Sequence, residues 1–165
     1  MTFFSTADGA RIFGGMAWLS SQLAQHFLGW ASDGLDTSAA PEMRSMGRRF
    51  EQQAGWWKAL VPESVLLQDQ VLDGPVSAEV AAFLTALKAL PPGQRLAACG
   101  LVVDTWQEDV AGLAEVMTTV GDAPALRVAG LVGVDFEDFP AVSGALEEVF
   151  VSTLQSARPL TGQTI

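Results

Sequence analysis

The sequence predicts an all-α fold, a bundle of antiparallel helices, and three observations carry the prediction. Apolar residues recur at spacings of three and four, as in Ile12, Met16, Leu19, Leu23, Phe27 and Trp30. Helix-breaking residues punctuate these runs at Gly34, Pro62, Pro91-Pro92-Gly93 and Gly121. Strand-like alternation never persists beyond a few residues; Val128–Val134 has the apolarity of a buried strand, but its helical flanks argue for helix. With 49% apolar and 17% charged residues, the 165-residue chain is no candidate for intrinsic disorder. Its length suits one domain, expected over residues 1–155, with 156–165 as a loose, flexible tail.

The first helix is predicted from about Ala7 to Ala31 and stopped by Asp33-Gly34. The second opens near Ser38, with Thr37 or Ser38 as cap and Pro41 and Glu42 in its first turn. Its inward face reads Met43, Met46, Phe50, Gln53, Trp57 and Leu60, and Pro62 ends it. A connection over 63–75 carries the apolar patch Val65-Leu66-Leu67. A short extra helix from Ser77 to Leu90 precedes the third long helix, Gln94 to Val120, whose stripe is Leu96, Cys99, Val103, Trp106, Val110, Leu113 and Met117. Gly121 stops that helix, and Asp122 caps a last one running to about Leu154. Pro140 in its interior predicts a kink or break near Phe136–Phe139.

Charge is unevenly spread. Residues 1–100 hold nine acids and seven bases, whereas 101–165 hold ten acids and only Arg127 and Arg158. The net charge of −10 excludes a nucleic-acid or anionic-membrane surface. Solubility of an apolar helical domain accounts for the acidity most simply; a cationic ligand or basic partner is the sharper reading. Lone Cys99 excludes an internal disulfide. Polar residues interrupt the apolar run from Ile12 to Trp30, so no membrane span is expected, and the expected location is cytoplasmic.

Two long helices, a crossover and two more resemble the ferritin-like superfamily. The segment Arg48–Trp57, followed by Leu60 and Pro62, looks like the second helix of small actinobacterial-type members. The stretch from Arg95 through Asp138, with its Gly121–Pro124 joint, is similar to their third and fourth helices. Metal-bearing members use Glu-x-x-His on two helices. Here Glu51 is followed three residues later by Ala54, Asp135 by Asp138, and His26 lies on another helix. The resemblance therefore implies the fold without the di-iron centre: no metal and no cofactor.

Chemistry would fall to mid-helix polar residues. His26, the one imidazole, titrates near neutral pH and suits a general acid or base; a histidine at the bundle edge with one hydrogen bond is the plainer reading. One layer of the bundle could hold His26, Gln53 or Glu51, Asp104 or Glu108, and Asp135 or Asp138. Trp57, Trp106 and Phe136 would line a pocket, with Gln53 beside them, unless the indoles simply fill the core. Gly130 and Gly133, flanking inward Val132, suggest space near the bundle centre. The leading expectation is a metal-independent enzyme of specialised metabolism acting on a small organic molecule. His26 with Asp104 or Asp135 would move protons, and Gln53, Trp57, Trp106 and Phe136 would bind substrate. The alternatives are a non-catalytic homodimeric binding or assembly subunit, with Trp56 or Trp30 in its interface, and a residual di-iron or manganese oxidase.

Overall fold

The computed structural model describes residues 6–61, 74–140, 142 and 144–163. Among them the chain forms six α-helices and no strand: α1 Thr6–Ser32, α2 Ala40–Lys58, α3 Ala78–Lys88, α4 Arg95–Val116, α5 Ala123–Asp135 and α6 Glu148–Ala157. A single 3-10 turn, Pro92–Gln94, leads into α4. Most of the Val65-Leu66-Leu67 connection, with Pro62, lies outside the described residues.

Helices α1 and α2 form an antiparallel hairpin, and its register shows in their contacts. Arg44 donates to the Ala31 carbonyl at 3.2 Å, Phe27 meets Phe50 edge-on at 5.6 Å, and Phe13 stacks on Trp57 at 6.1 Å. Gly47 sets the closeness of the pair. A Cβ there would fall 2.9 Å from Leu28 Cγ, so only hydrogen fits without a shift. The corner between them turns at Gly34, whose φ of +78° suits glycine. Asp33 accepts from the Leu35 amide beside it. Arg95 at the start of α4 then locks this corner: it donates to Asp33 at 2.6 Å, pairs with Asp36 at 3.6 Å and lies over the Trp30 ring.

The caps differ in part from expectation. Ser77 caps α3 by accepting from the Val80 amide. Ala39, not Thr37 or Ser38, holds the α2 cap position, and no side chain bonds there. Asp122 precedes α5, but its carboxylate turns back to the Thr118 amide and hydroxyl.

The predicted break at Pro140 is complete. Proline has no N–H to give, and it disfavours helix at the preceding residue, so α5 ends at Asp135. Helix α6 is thus a separate element rather than a continuation to Leu154. Its Phe150 packs on Phe83 of α3 at 6.0 Å. Residues 158–163 were expected to be loose, yet Leu160 and Thr161 are fully buried. Arg158 donates to Asp109 at 2.8 Å, the Leu160 amide donates to the other oxygen of Asp109, and Arg11 donates to the Gly162 carbonyl. Among the described residues, no helix is long and apolar enough to cross a membrane.

Candidate functional site

The inward row of α2, Met46, Phe50, Gln53 and Trp57, is buried as its spacing predicts. Gln53 is the one amide in that row, and it needs polar partners at 0% exposure. It finds two. Trp106 Nε1 on α4 donates to Gln53 Oε1 at 2.9 Å, and Gln53 Nε2 donates to Asp135 Oδ2 at 2.8 Å. Arg49, one turn earlier on α2, donates to the Asp135 backbone carbonyl and stands 3.7 Å from its carboxylate. Its guanidinium also covers the Phe139 ring at 4.9 Å. The relay Trp106–Gln53–Asp135–Arg49 thus ties α2, α4 and the end of α5 together. It fixes where residues 136–139 must start.

Those residues wall a cleft of ≈ 260 Å³. Glu42 and Met46 of α2, Gly100, Val103, Asp104 and Gln107 of α4, and Phe136, Glu137, Phe139, Pro140 and Val142 line it. Local sequence makes the opening. The break at Pro140 stops α5 before it can cover the α4 face, and Gly100 lets Val142 approach to where a Cβ would be only 3.0 Å away. The walls are apolar at Met46, Val103 and Phe136, while Asp104 and Glu137 stand exposed at the edge.

The expected site residues divide between this region and elsewhere. Gln53, Trp106, Asp135 and Phe136 come together: Phe136 lies 5.1 Å and Trp106 6.2 Å from the Phe50 ring. Asp104 lines the cleft without joining the relay. Trp57 is fully buried against Phe13 and does not line the cleft; its Nε1 has no hydrogen-bond partner among the described residues. His26 is half-buried on α1, and no hydrogen bond joins it to Asp104 or Asp135 among the described residues. Burial, and then the Lys88 charge on α3, hold its imidazole below the ordinary value. Glu51 and Asp138 face solvent, and Glu108 pairs with Arg158 at 3.0 Å. Gly130 and Gly133 are exposed, and among the described residues a Cβ at either would meet nothing within 4 Å, so the expected central space is not theirs. Trp30 is 7% exposed, inside the chain's own core, and Trp56 is half-buried.

Sequence reasoning missed Glu42, Met46, Gly100, Val103, Glu137 and Phe139. The available signal was the pairing of an interior Pro140 with a glycine on the facing stripe at Gly100. Among the described residues, no group of three or more histidine, cysteine or acidic side chains could hold a metal ion. Comparisons of the chain with known protein families, with curated proteins and with solved structures return no match.

Proposed function

We propose that this protein binds a small organic molecule in the cleft between α2, α4 and residues 136–140 and 142. The cleft itself carries the reading: an apolar-walled recess of ≈ 260 Å³ with polar groups at its edge. Drug-sized ligands occupy roughly 300–1,000 Å³, so the guest is smaller than those. The buried relay supports the reading, because it holds one wall in place before any ligand arrives, which lowers the ordering cost of binding. The hairpin α1–α2 beside α4 and α5 supports a ferritin-like plan for the scaffold.

Binding, rather than proton transfer, is the activity favoured. Asp135 is already engaged by Gln53 and Arg49, and among the described residues no hydrogen bond joins His26 to Asp104 or Asp135. The test is a fragment screen by protein-observed NMR on the wild type and on Val103→Trp, which fills the cleft. Fragments should shift the amides of Gly100, Val103 and Phe136 in the wild type alone. Hits that bind both proteins equally would refute the assignment.

One observation favours a second reading, an assembly role. Leu131 and Val134 on α5 are 42% and 56% exposed and lie on one helix face. If copies of the chain pair through that face, Leu131→Asp should convert dimer to monomer in sedimentation velocity.

A further inference from the structure

We infer that the guest of this cleft is an organic cation, an amine with an apolar body. The inference rests on the cleft being a binding site. Carboxylates reach the cleft from three separate elements: Glu42 from the first turn of α2, Asp104 from α4, and Glu137 from just beyond α5. Among the described residues, no lysine, arginine or histidine lines it. The guanidinium of Arg49 lies over the Phe139 ring and 3.7 Å from the Asp135 carboxylate, which matches its charge.

Glu42 is the most telling of the three. Its Oε2 is out of contact with solvent and has no hydrogen-bond partner among the described residues. An unmatched carboxylate oxygen is costly, and a rotation of the Glu42 side chain would turn it to an ammonium N–H in the cleft, a charge-assisted bond. The apolar side chains of Met46, Val103 and Phe136 would then take the hydrocarbon body. A carboxylate or phosphate guest would instead meet three like charges.

The decisive experiment titrates 15N-labelled protein with three probes of similar shape: 2-phenylethylamine, 2-phenylethanol and phenylacetate. The amine should shift the Gly100, Val103 and Phe136 amides, the alcohol should bind at least roughly tenfold more weakly, and phenylacetate should not bind. Glu42→Gln should weaken the amine by about tenfold and leave the alcohol unchanged, and Asp104→Asn should flatten the salt dependence. An alcohol or carboxylate that occupies the cleft as tightly as the amine overturns the cation inference and leaves the cleft assignment standing. Silence from all three probes overturns both.

Discussion

At the scale of single residues, Gln53 carries the most consequence. It accepts from buried Trp106 and donates to half-buried Asp135, so its loss strands Trp106 Nε1 and takes a partner from Asp135 Oδ2. Gln53→Leu should cost about 2–4 kcal/mol, measured by urea denaturation, since each stranded group costs roughly 1–3 kcal/mol. Gln53→Glu makes a sharper test. It sets two carboxylates face to face, so the proton affinity of the pair rises, and the variant should gain stability relative to wild type as pH falls below about 6. His26 has the opposite sensitivity in the wild type. Its imidazole sits below the ordinary 6.5, so the unfolded chain takes up a proton first on acidification. The stabilising contribution is complete above pH 6.5 and is lost as pH drops through the folded value. His26→Gln should remove that slope, and an imidazole midpoint above 6.5 by NMR would contradict the placement.

At the scale of helices, the close α1–α2 contact and the open faces make opposite predictions for one substitution. Gly47→Ala must push Leu28 aside at 2.9 Å from its Cγ and should destabilise by about 1–3 kcal/mol. Gly55→Ala, on the same helix with nothing within 4 Å, should stabilise by roughly 0.5–1 kcal/mol. Thermal denaturation of the two variants measures both signs at once. The same contrast shows what the sequence made legible. Spacing is a local property, so the inward row Met43, Met46, Phe50, Gln53 and Trp57 and the rows of α3 and α4 could be read directly. The break at Pro140 followed from the chemistry of one residue. Which glycines face a neighbour did not, because Gly47 and Gly130 look alike until a second helix is placed against one of them. The sequence casts Asp135 as a proton carrier. Its partners Arg49 and Gln53 lie 86 and 82 residues away in sequence, and only packing brings them together.

At the scale of the whole molecule, the least legible feature is the return of the C-terminal segment onto the body. The sequence of residues 156–165 lacks helical periodicity, which is why it reads as loose, but the order of residues 158–163 comes from one buried acid far upstream. The Asp109 side chain is 6% exposed and receives Arg158 and the Leu160 amide. Arg158 is correspondingly harder to deprotonate than usual, first through its bond to Asp109. Arg158→Ala should cost about 2 kcal/mol, less than a fully buried pair, because the guanidinium is 30% exposed and the Leu160 amide remains to Asp109. Ending the chain after Ala157 removes both partners and the buried Leu160 side chain together, so it should cost more than about 4 kcal/mol. Cys99 reports on this independently. Burial pushes its thiol far above the ordinary range, so the native chain should resist a thiol reagent. In the shortened chain, labelling of Cys99 should accelerate in step with the loss of stability. Equal labelling rates and equal denaturation midpoints in the two chains would show that the segment merely rests on the surface and that Asp109 is satisfied without it.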